Sequence, residues 1–340
     1  MELDRRAASE RLPSEVLSLI IDLTRDYELA TTLEHPHSLP VTSPWLEQAT
    51  DLDQAILRSS RDITRVKECY EKKGCRTFTQ WGARVMIRFS YVHILEYFLR
   101  HDPDQLRRQC GSLLPVVASA WGRVKVLRWA TESAFNLNPD QNEMTEALDE
   151  ASRHGQVEVL EFWKRSGFKL RYSETALNSA TVKRQLACLE WWKASKLPLK
   201  IGNVLDFASM EGTTVCLDWW KSSGLPLSYT RAALWHVSRS GNTTLLDWWK
   251  QSGLNLYYDK EVLIVATRFG QVNALQWWLN SGLDLEYRYF DIEEAIEDAL
   301  ADKDAVLKWW EGIGYDPAMD SYEWTRSRNM RLQSADGPDV

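Results

Sequence analysis

The chain has 340 residues, of which 44% are hydrophobic and 26% are charged, and this composition excludes wholesale disorder. No apolar run approaches the roughly 18 residues of a membrane-spanning helix, and the amino terminus lacks the apolar stretch of a secretion signal, so we expect a protein of the cytoplasm or nucleus that enters no membrane. The net charge of −7 argues against nucleic acid as a partner.

The first predicted element is an amphipathic helix over residues 12–24, with Pro13 at its start. Its apolar face carries Leu12, Val16, Leu19, Ile20 and Leu23. The Leu-Pro-x-Glu-Val-Leu start resembles the opening helix of an F-box, and this resemblance implies that Pro13 and the apolar face bind the Skp-type adaptor of a cullin ubiquitin ligase. The alternative is a helix that caps the apolar edge of the array that follows.

Residues 25–50 complete this N-terminal segment, 1–50, and contain no recognisable later F-box helix. Residues 35–40 include two prolines and predict a loop. His35 and His37 lie in this loop with no third ligand nearby, so we expect no metal site there.

Residues 51–317 contain a repeat of about 29 residues, and the repeat accounts for the unusual number of Trp residues, 17. Its clearest mark is an aromatic pair, which recurs at Phe162-Trp163, Trp191-Trp192, Trp219-Trp220, Trp248-Trp249, Trp277-Trp278 and Trp309-Trp310. A variant of Ser-Gly-Leu follows five of the pairs, and an Ala-Leu-x-x-Ala-Ser element precedes them. Weaker copies towards the amino terminus raise the number of repeats to about nine.

Within each repeat, apolar residues at helical spacing flank a polar break, which predicts two short helices joined by a tight turn. The Ser-Gly-Leu segment should end the second helix with a glycine cap. The predicted fold class is therefore all-α, a helix-turn-helix solenoid of about nine repeats. Residues 318–340 should form a C-terminal cap followed by a disordered tail at 334–340.

Residues 155–167 resemble the second half of an ankyrin repeat, with the aromatic pair in place of that family's Leu pair. Ala176-Leu177-x-x-Ala180 resembles the first half. The connection between repeats is about four residues shorter than in the ankyrin family, so the resemblance implies an ankyrin-like solenoid without β-hairpins. It also implies a non-catalytic scaffold that binds a protein partner in its concave groove.

Two adjacent aromatic residues point about 100° apart on a helix. We therefore expect one of each pair to face the other helix of its own repeat and the second to face the next repeat. As core residues, Trp248 and Trp277 should each cost roughly 3–5 kcal/mol when replaced by Ala. The alternative is a row of exposed Trp side chains that stack on sugars or single-stranded bases, as in a carbohydrate or nucleic-acid binder.

No Gly-rich phosphate loop, nucleophile elbow or HExxH motif occurs, so we expect neither an enzyme nor a cofactor. The five cysteines form no CxxC pair, and this pattern favours neither zinc nor disulfide bonds. Cys188 and Cys216 occupy the same position in adjacent repeats, where we expect small buried thiols.

In the ankyrin family, the two residues before the turn glycine project into the concave groove. Carried over to this sequence, the positions hold Ala120, Val182 and Ser240 together with the predicted partner-binding residues Arg88, Phe89, Trp121, Arg153, His154, Lys183, Met210, Glu211, Arg239, Arg268 and Phe269. Five of these fourteen are Arg or Lys and one is acidic, so a partner with an acidic and apolar face is expected. The alternative is that these cations only complement helix dipoles.

Overall fold

The computed structural model describes residues 13–33, 35, 39, 49–72 and 75–330. Leu12 of the predicted adaptor-binding face and the predicted tail at 334–340 lie outside these residues. The described part of the chain is all-α and divides into two compact bodies, one up to Tyr172 and one from Ser173 onwards. None of its helices is long and apolar enough to cross a membrane.

The described residues of the N-terminal body form eleven helices, α1 to α11. In chain order they are Ser14–Thr24, Tyr27–Thr32, Asp51–Leu57, Thr64–Lys67, Gln80–Arg88, Val92–His101, Pro103–Cys110, Leu113–Ala120, Val124–Glu132, Gln141–Arg153 and Val157–Arg165. A π-helical turn, Glu68–Lys72, continues α4.

Residues 173–330 of the C-terminal body also form eleven helices, α12 to α22. In chain order they are Thr175–Val182, Leu186–Ala194, Val204–Met210, Thr214–Ser223, Ala232–Ser240, Thr243–Gln251, Glu261–Arg268, Val272–Asn280, Tyr289–Glu297, Lys303–Gly312 and Ser321–Thr325. Two short strands, β1 at Glu286–Tyr287 and β2 at Arg328–Asn329, pair antiparallel beside the last helices.

The predicted repeat of two helices is confirmed, with four helix pairs in the N-terminal body and five in the C-terminal body among the described residues. Two helices, α2 and α7, were not predicted from the sequence. Helix α2 is capped by Asp26, whose side chain accepts a hydrogen bond from the Leu29 amide at 3.0 Å. Helix α7 begins with Pro103 behind the capping Asp102. An Asp cap and a Pro in the first turn are recognised start signals, so both helices were within reach of the sequence.

The Ser-Gly-Leu segments end the second helices as expected. In α15, the Ser223 hydroxyl donates to the Trp220 carbonyl at 2.7 Å and accepts from the Leu225 amide at 3.1 Å. Gly224 then adopts a left-handed conformation, with φ of 74°. In the preceding repeat, Lys196 occupies the same position with φ of 60°, which is unfavourable for a residue with a Cβ atom.

Within each body, the first helices of successive pairs pack closely against one another, whereas the second helices approach each other less. Such packing makes the row of first helices the concave side of each body and the row of second helices the convex side. The wider gaps between second helices need large side chains to fill them, because protein interiors are close-packed. The Trp residues of the aromatic pairs lie on these second helices.

The second aromatic residue of every pair is fully buried. In the five pairs with Trp163, Trp220, Trp249, Trp278 and Trp310, its indole Nε1 reaches the first helix of the preceding pair and donates to a buried hydroxyl, the Ser or Thr of the Ala-Ser element. The bonds, 2.9 to 3.0 Å long, join Trp163 to Ser119, Trp220 to Thr181, Trp249 to Ser209, Trp278 to Ser238 and Trp310 to Thr267. The repeat therefore preserves both the ring and its hydrogen-bond acceptor.

The first aromatic residue of each pair is only partly buried. In four pairs its indole donates instead to the second helix of the preceding pair, from Trp219 to Glu190, Trp248 to Asp218, Trp277 to Asp247 and Trp309 to Gln276, at 2.6 to 3.0 Å. The expectation that one Trp faces its own repeat and the other the next repeat is wrong, because both indoles bond to the preceding one. The assignment of Trp248 and Trp277 to the core is also wrong.

Cys188 and Cys216 are buried free thiols, as expected. Burial raises the pKa of Cys188 to about 12 and that of Cys216 to about 11. These thiols stay protonated near neutral pH, and the Cys216 thiol donates to the Thr181 carbonyl at 3.4 Å. Both residues therefore act as small packing groups.

Candidate partner-binding surface

The residues predicted to bind a partner lie at the C-terminal ends of the first helices, on the concave side of each body. A left-handed residue, such as Ser90, Gly122, Arg184 or Gly241, reverses the chain directly after them. In the seven helix pairs from α5 to α19, we call the two positions before the left-handed residue the inner rim. The inner rim consists of Arg88, Phe89, Ala120, Trp121, Arg153 and His154 in the N-terminal body and Val182, Lys183, Met210, Glu211, Arg239, Ser240, Arg268 and Phe269 in the C-terminal body.

Arg88 is buried, with 7% of its surface exposed. Its guanidinium forms ion pairs with Asp26 and Glu28 of the N-terminal α2 region. Glu28 is also buried and accepts hydrogen bonds from Arg84 and from the Trp81 indole. The charge of Arg88 is thus used within the chain, where it attaches α2 to α5, and we remove Arg88 from the predicted partner-binding set.

The ring of Trp121 lies beneath this ion pair, with its centroid 4.1 Å from the Arg88 guanidinium carbon. Phe89 flanks the same guanidinium at 4.9 Å, and Trp121 keeps 42% of its surface exposed. Arg123 donates from Nε to the Arg88 carbonyl at 2.5 Å. Burial, and then the positive charge of Arg88, lower the pKa of Arg123 from its ordinary value.

Arg153 and His154 are both exposed at the end of α10. Both contact the carboxylate of Glu150, Arg153 at 3.3 Å and His154 at 3.2 Å. The three side chains share one turn of helix, so these contacts are partly local and partly solvent-screened. Arg153 and His154 remain accessible to a partner.

In the C-terminal body, Lys183 is exposed and Met210 is also exposed, by 44%. Glu211 is partly buried and lies 3.6 Å from the guanidinium of Arg184, the left-handed residue of the preceding turn. A long apolar side chain that remains accessible at a turn is suited to contact with another protein.

Arg239 is exposed, and its guanidinium lies over two rings. The Phe269 ring of the next helix pair is 4.5 Å away, and the Trp235 ring of the same helix is 5.8 Å away. Arg268 is partly buried, 3.9 Å from the carboxylate of Asp298. The inner rim of this body therefore brings guanidinium groups and aromatic rings together across neighbouring repeats.

Further concave residues, one turn earlier on the same helices, were not predicted from the sequence. Phe207, Trp235, His236 and Ile264 are partly exposed there. Burial lowers the pKa of His236 from its ordinary value, opposed by the nearby carboxylate of Asp206. The signal was present, because Phe207 and His236 are 29 residues apart, and so are Trp235 and Ile264.

Helix α1 presents its apolar face outward. Val16, Leu19 and Leu23 are 39%, 58% and 76% exposed, whereas Ile21 on the other side is buried. Pro13 is exposed and Ile20 is partly exposed. Contact with the array is made by α2, which packs on α3 and supplies Glu28 to α5. The capping alternative requires these side chains to cover the apolar edge of the repeats. Because they point outward, they do not cover it.

No metal-binding group of three or more His, Cys, Asp or Glu side chains occurs within the described ranges. No protein-family model matches this chain. No curated protein matches it either.

Proposed function

We propose that this chain is a non-catalytic protein-interaction scaffold of the ankyrin-like kind, and that its partner binds along the inner rim. The observation that carries the proposal is the exposure of Trp121, Met210 and Arg239 at equivalent turns of the concave side. Trp and Arg dominate the binding energy of protein interfaces, and exposed apolar side chains mark interaction surfaces.

The proposed partner has an acidic and apolar face. Arg153, Lys183 and Arg239 are exposed basic residues of the inner rim on a chain of net charge −7. Arg153 already contacts Glu150, and Arg268 lies near Asp298, so part of the positive charge is neutralised within the chain. We therefore expect a modest electrostatic contribution, expressed mainly in the association rate.

The test is charge reversal at Arg153, Arg239 and Arg268 in one variant, compared with reversal at Arg128, Arg165 and Lys193, which are exposed on second helices. The partner is isolated by affinity capture with the wild-type protein and then purified. We expect the inner-rim variant to lose the partner and the control variant to keep it, with wild-type affinity falling as salt increases. Equal binding by both variants would place the interaction elsewhere.

A carbohydrate or nucleic-acid binder using exposed Trp is less well supported. The second Trp of each pair is buried and its indole is hydrogen-bonded within the chain. The first Trp is partly covered, and its indole is bonded to the preceding repeat. Neither row offers the open ring faces that base or sugar stacking requires.

A second candidate function is binding of a Skp-type adaptor, as in a substrate receptor of a cullin ubiquitin ligase. The exposure of Val16, Leu19 and Leu23 on α1 favours it, because three neighbouring apolar side chains are available on one helix. Leu19→Asp with Leu23→Asp should abolish capture of a purified adaptor, whereas Glu15→Ala with Asp22→Ala should not. Absence of binding by the wild type would exclude this function.

We place the protein in the cytoplasm or the nucleus. Cys110, Cys188 and Cys216 are buried thiols that form no disulfide bond, as expected in a reducing compartment. Fractionation of cells that express the tagged chain tests this assignment.

A further inference from the structure

The N-terminal body contains an occupied recognition site on the inner rim. Arg88 lies between the rings of Phe89 and Trp121, and its guanidinium binds the carboxylates of Asp26 and Glu28. Asp26 is the residue before α2 and also caps that helix. The ligand of this site is therefore an acidic helix start that belongs to the chain itself.

Arg239 occupies the equivalent position in the C-terminal body. Arg88 lies two residues before the left-handed Ser90, and Arg239 lies two residues before the left-handed Gly241. The ring that covers each guanidinium comes from the next helix pair, one residue before its left-handed glycine: Trp121 for Arg88 and Phe269 for Arg239. The distances from guanidinium carbon to ring centroid are 4.1 Å and 4.5 Å.

The two sites differ in occupancy. Among the residues that the structure describes, none accepts a hydrogen bond from the Arg239 guanidinium or forms an ion pair with it, and Arg239 is exposed. A guanidinium stacked on rings keeps its N–H edge free for bidentate binding of a carboxylate. Stacking also limits its motion, which reduces the entropy lost on binding.

The neighbours of Arg239 specify more than a carboxylate. Glu28 is held by Arg84 and Trp81 in addition to Arg88. The residues at the same offsets from Arg239 are Trp235 and Ala232. Neither residue offers a positive charge, and Trp235 is a partly exposed ring. The place that the Glu28 carboxylate fills in the N-terminal body therefore suits an apolar side chain beside Arg239.

We propose that Arg239, Phe269 and Trp235 bind a partner segment that begins a helix with Asp and carries an apolar residue two positions later. The Asp carboxylate binds the Arg239 guanidinium, and the apolar residue packs on Trp235. This inference rests on the proposed function, because the site belongs to the inner rim, and it adds the chemistry of the partner segment.

The test uses a labelled peptide of residues 23–33 of this chain carrying Glu28→Leu, titrated with the full-length protein and followed by fluorescence anisotropy. We expect this peptide to bind more tightly than the unaltered sequence. Adding Asp26→Asn to the peptide should weaken binding at least tenfold, because the bidentate pair is lost. The protein variant Arg239→Lys should weaken binding by a similar factor, and the control Arg165→Lys, on a second helix, should leave it unchanged.

Absence of binding, or equal affinity for wild-type and Arg239→Lys protein, would overturn the inference. Tighter binding of the unaltered peptide would overturn the assignment of Trp235 as an apolar subsite. These outcomes do not bear on the proposed function itself. That function is tested separately, by whether the variant with three reversed charges on the inner rim still captures the natural partner.

Discussion

Trp248 and Trp249 are neighbours in α17 and differ in burial. Trp249 is 1% exposed and donates to Ser209 at 3.0 Å, whereas Trp248 is partly exposed and donates to Asp218 at 2.7 Å. Replacing each by Ala therefore compares two contributions to the free energy of unfolding. One comes from a ring buried between helices, and the other from a ring in a surface contact of the same repeat.

We expect Trp249→Ala to lower the free energy of unfolding by about 3–5 kcal/mol, as for other large-to-small changes in cores. The ring buries on the order of 200 Å², worth roughly 5 kcal/mol gross at about 25 cal/mol per Å². Trp248 buries only part of its surface, and exposed bonds to a carboxylate contribute about 0–1 kcal/mol. We therefore expect Trp248→Ala to cost about 1–2 kcal/mol.

The assay is urea unfolding followed by far-UV circular dichroism, because the other Trp residues dominate the fluorescence. Repeat arrays need not unfold in two states, so the slopes of the two variants must agree before their midpoints are compared. A cost for Trp248→Ala equal to or greater than that for Trp249→Ala would refute the division into a buried and a surface row.

Three further changes test other features of the structure. Lys196→Gly should raise the melting temperature, because the left-handed conformation of Lys196 costs about 1 kcal/mol that Gly does not incur. Gly224→Ala should lower the melting temperature through the same conformational cost, since its Cβ would meet no atom within 4 Å. Changes of the opposite sign would contradict this explanation. Because burial depresses the pKa of His236, its neutral form contributes stability that is fully present above the ordinary value of 6.5 and lost as pH falls below it. Urea midpoints should therefore decline less with acidification in His236→Gln than in the wild type. Asp26→Asn with Glu28→Gln leaves a buried guanidinium unpaired, at a cost of about 3 kcal/mol, and should expose α2 to chymotrypsin, which cleaves after residues such as Tyr27 and Leu29; unchanged cleavage would contradict its role in docking.

The helix pairs could be predicted from the sequence because their sequence signals are local and recur in several repeats. The Ser-Gly-Leu segments, the helical spacing of apolar residues and the Ala-Ser element each recur in several repeats. The hydroxyl of that element proved to be the acceptor for a Trp about 40 residues later, as Ser209 is for Trp249. No local pattern predicts such a partner, since it depends on how adjacent repeats pack.

Burial of the paired Trp residues also depends on packing between repeats. Two adjacent rings must point in different directions, but helix geometry alone does not say which ring lies between the helices. The prediction that Arg88 binds a partner is wrong for a similar reason. Arg88 has the position of a groove residue in its repeat. Its guanidinium is nevertheless bound by Asp26 and Glu28, which lie about 60 residues earlier in the chain.

Photo-crosslinking from one side chain tests the central claim, that a partner protein binds the inner rim, most directly. A benzoylphenylalanine is placed at Met210, which is 44% exposed at the inner rim, and in a second protein at Val215, which is 47% exposed on the next helix, α15. The account predicts a covalent adduct with the captured partner from position 210 and none from position 215. An adduct from position 215 alone would contradict it.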